Sequence, residues 1–237
     1  MCKRNKANSR EHKYKKSDLK YFFNDLEDPV IKKFDRQKPI NGTKSSLLKY
    51  NHVLCQECNN QKSKKIDNDY DLFSEKYIKE LNKKITKIDF DSEIQKLNIY
   101  RFLAKNICCR LALNNIEISE DLTEFINGNI KYPKRLIIKI YSNNKETQQM
   151  KNYLHERKVP SEIALFGQGK LLLIGKSRDE VNLVYSTLTF NNLIFEFFFT
   201  NSDFFLENYY SKNNLEIKQF YETENIKIRI NEIIKNL

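Results

Sequence analysis

No unbroken apolar run in this 237-residue sequence approaches the roughly 18 residues that cross a bilayer as a helix. The first twenty residues carry charge almost throughout, so they lack the apolar segment of a secretory signal. Both absences argue against a membrane partner and lead to the expectation of a soluble, cytoplasmic chain. Cysteine is scarce and odd in number: five residues, at Cys2, Cys55, Cys58, Cys108 and Cys109. That grouping does not suit a disulfide framework, but it does suit a metal clip plus two helix residues in a reducing compartment. Histidine is scarcer still, confined to His12, His52 and His155.

What is present is apolar and basic material in quantity. Hydrophobic residues make up 40% of the chain, with sixteen Phe and thirteen Tyr, enough for one sizeable core or two smaller ones. The net charge of +11 points to a polyanionic partner, and its placement says more than its size. Residues 1–65 hold 17 Lys and Arg against 7 Asp and Glu, whereas the remaining residues hold 25 against 24. A general lysine bias would not confine the excess to one segment.

Three regions differ in pattern, and together they predict an α+β chain. Residues 1–78 are basic at the start and broken by turn-forming stretches such as "EDPV" and "KPINGT". Residues 79–130 read as helices. In "DSEIQKLNIYRFLAKNICCRLALNN", Ile94, Leu97, Ala104, Cys108 and Leu111 recur at helical intervals; Asp91 or Ser92 can cap the start and Asn114-Asn115 can end it. Cys108 and Cys109 are expected in the core. Ser119 offers a second cap before "EDLTEFI", which stops at Asn127-Gly128. Residues 131–237 change period: "RLIIKIY", "SEIALFG", "KLLLIG", "VNLVYSTLTF" and "LIFEFFFT" read as strands of a small α+β domain. "KETQQMKNYLHERK" between the first two reads as a helix, with His155 on its surface. "GQGK" reads as a hairpin turn between two strands, since no helix follows that could make it a phosphate loop.

The chemistry is concentrated in the first quarter. Cys55 and Cys58 at C-x2-C spacing can reach one tetrahedral Zn²⁺ and form half a site. Completion has three solutions: Cys2 joins with His52 or a water, the knuckle holds by packing without zinc, or a further cysteine lies upstream. Glu11 beside His12, with Asn51 and Asn59 further on, supplies four groups suited to metal-assisted phosphodiester hydrolysis. A neutral imidazole can take a proton from water near pH 7, and carboxylate and amide oxygens are hard ligands for Mg²⁺ or Mn²⁺.

"SREH", "YNHVLCQECNNQKS" and "DNDYDLFSEKY" together resemble the HNH endonucleases, also called ββα-metal nucleases, over about residues 1–78. "ICCRLALNNIEISEDLTEFING" is similar to a helical extension found in some members. The resemblance implies an N-terminal ββα-metal module in which His12 ends a first strand, "NHVLC" forms the second and the helix begins near Cys58. It implies His12 as general base, Glu11 and Asn59 as ligands of a catalytic Mg²⁺ or Mn²⁺, and Asn51 as the residue orienting His12 or the scissile phosphate, with His52 as its alternative. Asp67 would brace the helix carrying Asn59, and Lys62 would contact phosphate. The interval from His12 to Asn51 is longer than in compact members, so the residues between form an excursion, with "KYFFNDL" packing on the helical region.

Lys13, Lys15, Lys16 and Lys20 on one side and Lys62, Lys64 and Lys65 on the other are then candidates for gripping a sugar-phosphate backbone. The expectation is a DNA endonuclease, RNA not excluded, of the kind used in restriction or phage defence. Its C-terminal domain would await a protein partner or activating ligand, and oligomerisation stays open. Two rivals stand beside it. One is a catalytically inactive nucleic-acid-binding protein on the same scaffold; the other is an interaction protein that acts through residues 131–237.

Overall fold

The computed structural model describes residues 6–23, 30–33, 36–39, 44–79, 85, 87–142, 166–169, 171–175, 181–190 and 192–203, together with 144, 145, 148, 149, 152, 156 and 206. Cys2 and His155 lie outside them, as does most of "KETQQMKNYLHERK". The described chain is a mixed α+β fold with antiparallel sheets throughout.

The N-terminal part starts with strand β1 (Ser9–His12) and helix α1 (Lys16–Phe23), followed by a small pair, β2 (Val30–Lys33) with β3 (Arg36–Pro39). A short 3₁₀ turn at Ser46–Leu48 leads into β4 (Lys49–Leu54), which returns to pair with β1. The residues between β1 and β4 thus form an excursion, and Leu19 of α1 is fully buried. Helix α2 (Lys64–Lys79) buries Ile66, Tyr70, Phe73 and Tyr77, which recur every three or four residues along one face. Ser17 of α1 donates to Asp71 of α2 at 2.6 Å, which ties the excursion to this helix.

Helix α3 (Glu93–Leu113) is the centre of the molecule, and every residue from Phe102 to Cys109 is buried. A helix buried on all sides needs neighbours on all sides. Its start is well capped: the Ser92 hydroxyl accepts from Gln95 N at 3.1 Å, and Gln95 Oε1 accepts from Asp91 N at 2.7 Å. Its end is a left-handed turn at Asn115, φ 56°, where Ile116 N–H returns to the Leu111 carbonyl at 3.0 Å. Ile94, one of the residues at helical intervals, is 61% exposed, whereas its neighbour Gln95 is buried, so the first turn sets its amide rather than its isoleucine against the body. Helix α4 (Glu120–Asn127) buries Leu122, Phe125 and Ile126 and ends at Gly128, whose φ of 88° favours glycine.

Strands β5 (Leu136–Ser142), β6 (Phe166–Gln168), β7 (Leu172–Gly175), β8 (Val181–Phe190) and β9 (Leu193–Thr200) make one sheet in the order β5-β9-β8, with β6 and β7 both on β8. Here the hairpin expected at "GQGK" gives way to a different arrangement. Gln168 faces Leu188 and Leu172 faces Tyr185, so β6 and β7 are successive pieces of one edge strand interrupted by a bulge. Glycine suits the interruption: a Cβ on Gly169 would stand 2.2 Å from Thr187 Oγ1.

Leu136 and Ile138 of β5, Val184 and Leu188 of β8, and Phe195, Phe197 and Phe199 of β9 join α2, α3 and α4 in one hydrophobic cluster. This cluster draws side chains from both sides of residue 130. Cys108 belongs to this cluster and Cys109 to a smaller one with Tyr50 and Leu54, so both cysteines pack as apolar side chains. Among the described residues, no helix is long and apolar enough to cross a membrane.

Candidate active site

The β1–β4 pair carries an irregularity where the candidate residues sit. Glu11 faces Tyr50 and His12 faces Lys49, but Ser9 faces Leu54, so Asn51, His52 and Val53 together oppose Arg10 alone. Asn51 and His52 bulge into solvent, and His52 holds φ 32°. A left-handed residue that is not glycine costs about 1 kcal/mol or more, which the surrounding pairing has to sustain. Bulges of this kind turn side chains away from the regular pleat.

Beyond β4 the chain turns through Cys55 and Cys58. Both are buried, and Cys58 N–H donates to Cys55 Sγ at 3.4 Å, which fixes the two side chains within one tight turn. A π-helical turn (Cys58–Lys62) follows and presents Asn59 to β1. Asn59 Nδ2 donates to Ser9 Oγ at 2.8 Å and to the Arg10 carbonyl at 3.2 Å. This directs the amide nitrogen to the strand on which Glu11 and His12 lie.

Glu11 is held from two directions. Its Oε1 accepts from His12 N–H at 2.8 Å, and its Oε2 lies 3.1 Å from Lys105 Nζ. Lys105 projects from α3 and is 2% exposed; its ammonium also reaches Asp67 Oδ1 at 2.7 Å and Ser63 Oγ at 3.4 Å. Burial pulls its pKa down, but the facing carboxylates of Glu11 and Asp67 outweigh that, and the net shift is upward. The ammonium stays charged. Ser63, whose single hydroxyl proton serves one acceptor at a time, lies 2.7 Å from both the Asn59 carbonyl and Asp67 Oδ2. When that proton goes to the Asn59 carbonyl, Ser63 links the Lys105 ammonium to the turn that carries Asn59 and completes a polar ring with Glu11 through β1; when it goes to Asp67, it supports the Lys105–Asp67 pair instead.

Polar groups along α3 join this ring to the rest of the molecule. Asn106 donates to the Lys13 carbonyl at 2.9 Å and accepts from the Tyr50 hydroxyl at 3.0 Å, and that hydroxyl accepts from Gln168 Nε2 of β6 at 2.6 Å. Burial drives the Tyr50 phenol pKa far upward, so it remains a neutral donor. Arg110 donates to the Gly169 carbonyl at 2.5 Å and to Ser186 Oγ. The candidate site and the edge of the C-terminal sheet thus meet on one helix.

The lysines divide. Lys13 spends its ammonium on the Leu47 carbonyl at 2.9 Å, and Lys15 lies 3.3 Å from Asp71 Oδ2 and 3.2 Å from the Asp67 carbonyl. Those two serve the interior rather than a phosphate surface. Lys62 pairs with Glu57 at 3.1 Å while half-exposed, and Lys16, Lys20, Lys64 and Lys65 are exposed.

Among the described residues, no three His, Cys, Asp or Glu side chains converge as a ligand cluster. Mg²⁺ and Mn²⁺ do not demand one: they accept one or two protein oxygens and keep waters. The Glu11 carboxylate and the Asn59 amide oxygen are donors of the type these ions take; Glu11 lies on β1, and the Asn59 amide nitrogen bonds to the same strand. For Zn²⁺, Cys55 and Cys58 could supply two of the four ligands, and Cys2 lies outside the described residues.

Helical periodicity did not single out Lys105. A signal was nonetheless present: a lysine between the apolar stretches "FLA" and "ICC". Charge in such a run requires a buried counter-charge, although the sequence does not name the partner. No family model, curated protein or solved structure matches the chain.

Proposed function

We propose that the chain is a metal-dependent HNH endonuclease hydrolysing phosphodiester bonds in DNA. The observation that supports this reading is the ring that ties Asn59 and Glu11 to one strand beside His12, on an antiparallel strand pair followed by a helix. His12 would take a proton from the attacking water as its neutral imidazole. Glu11 and Asn59 would hold a divalent ion, which when bound stabilises charge on the phosphate and the departing oxygen. Asn51, on the bulge, is available to the scissile phosphate. The exposed Lys16, Lys20, Lys64 and Lys65 would grip the backbone and favour neither a sequence nor a base.

The test is conversion of supercoiled plasmid by the purified chain in Mg²⁺, Mn²⁺ or EDTA, beside the His12→Ala variant. Cleavage that requires the ion and disappears in the variant is the expected result. Salt-sensitive DNA retention without cleavage in any ion would favour the binding-only reading instead.

A further inference from the structure

The Lys105 ammonium occupies the kind of position a metal cation takes. Two carboxylate oxygens and a hydroxyl converge on it from β1, α2 and the turn between the π-helical segment and α2, at 3.1, 2.7 and 3.4 Å. Glu11 is 14% exposed and Asp67 17%, so neither charge is well solvated, and each would repel the other if the ammonium were removed. Glu11 Oε1 accepts from His12 N–H and Oε2 faces Lys105, so an ion held by this carboxylate would share it with the ammonium.

We infer that Lys105 is a resident counter-ion that positions Glu11 and, by sharing its carboxylate, sets how tightly the candidate site binds its divalent ion. The inference rests on the nuclease reading of Glu11. In the absence of the ion, Lys105 holds Glu11 against α2 and, through Ser63, in register with the Asn59 carbonyl. An ion held by Glu11 would share that carboxylate with the fixed Lys105 charge, which would weaken its hold. Lys105 thus gives a pre-formed ligand geometry at the expense of affinity, and in a reaction that piles negative charge on a phosphate it leaves one fixed positive charge behind the metal.

The experiment is a Mn²⁺ titration of the full chain by calorimetry, with thermal melting in EDTA, for wild type, Glu11→Gln, Lys105→Met and Lys105→Arg. Methionine keeps much of the stem and removes the charge. Lys105→Met is expected to melt lower in EDTA yet to bind Mn²⁺ at least ~10-fold more tightly, because a unit charge close to a divalent ion is worth that much or more in a partly buried site. Adding Glu11→Gln to Lys105→Met should abolish the gain, and Lys105→Arg should bind like wild type. A merely structural lysine would lower melting temperature and affinity together.

Equal or weaker Mn²⁺ binding by Lys105→Met overturns the inference. If that variant is unfolded in EDTA, recovery of its fold on adding Mn²⁺ supports the inference, and failure to recover at millimolar Mn²⁺ overturns it. The two readings separate cleanly. Mn²⁺ binding that no variant alters overturns Glu11 as a ligand and the nuclease reading with it. Binding lost in Glu11→Gln but unchanged in Lys105→Met removes the role of Lys105 alone.

Discussion

The Tyr50 hydroxyl accepts a hydrogen bond from Gln168 at 2.6 Å, across 118 residues of sequence, and so joins the strand opposite Glu11 to the edge of the C-terminal sheet. Since the same hydroxyl donates to Asn106, one phenol connects the N-terminal pair, the central helix and the sheet.

Tyr50→Phe is expected to destabilise the chain by about 1–3 kcal/mol, because it strands the buried Asn106 amide and the half-buried Gln168 amide. Urea denaturation of Tyr50→Phe, Gln168→Ala and the double variant should show the two effects to be non-additive. Strict additivity would mean that the bond does not form in solution.

The shared core makes a second prediction. A fragment ending at residue 130 lacks Phe195, Phe197 and Phe199, each worth roughly 1.5–3 kcal/mol of burial. Such a fragment should not unfold cooperatively and should bind hydrophobic dye. A sharp, dye-free melt would contradict the shared core. Gly169→Ala tests the same region more gently, since its Cβ would press on Thr187; a loss of about 1–3 kcal/mol is expected.

Asp18 is 1% exposed, and burial raises its carboxyl pKa to about 7 from an ordinary value near 3.8; a hydrogen bond from Ser74 works against this, and the neighbouring Asp71 adds to it. The folded state therefore holds the proton more tightly than the unfolded chain does. The associated stability is complete below about pH 4 and is lost as pH rises toward and through 7. Asp18→Asn removes that dependence, so the variant should gain on wild type between pH 5 and pH 8, by at most a few kcal/mol. Denaturation midpoints that keep the same difference at both values would show that Asp18 ionises without cost.

The division among the lysines predicts an unequal salt effect on DNA binding. Replacing Lys16, Lys64 and Lys65 by Ala should weaken affinity and reduce the slope of log K against log salt by up to roughly 0.9 per lysine. Lys13→Met should leave the slope unchanged, because its ammonium already serves the Leu47 carbonyl. An equal change for Lys13 would place DNA on the other side of β1.

Local patterns revealed much of this fold. β-Branched and aromatic content marked β8 and β9 at their observed ends, and Ser92, one of two candidate caps, marked the start of α3. Partner choice was less legible. "GQGK" carries the residues of a turn, but only the pairing of both flanking strands with β8 makes it a bulge. At the site, the order of Glu11, His12, Asn51 and Asn59 could be read from spacing. Lys105 could not be joined to Glu11, because their contact crosses 94 positions and depends on α3 passing beneath the strand pair. The bulge that exposes Asn51 and His52 was hidden for the same reason, since register is a property of two strands.

The central claim is that His12 is the base of a metal-dependent nuclease. It is tested most directly by chemical rescue: plasmid cleavage by His12→Gly in Mg²⁺, with and without added imidazole. The expected result is no cleavage by the variant alone and cleavage restored in proportion to the neutral imidazole supplied. Cleavage by His12→Gly at the wild-type rate without imidazole would contradict it.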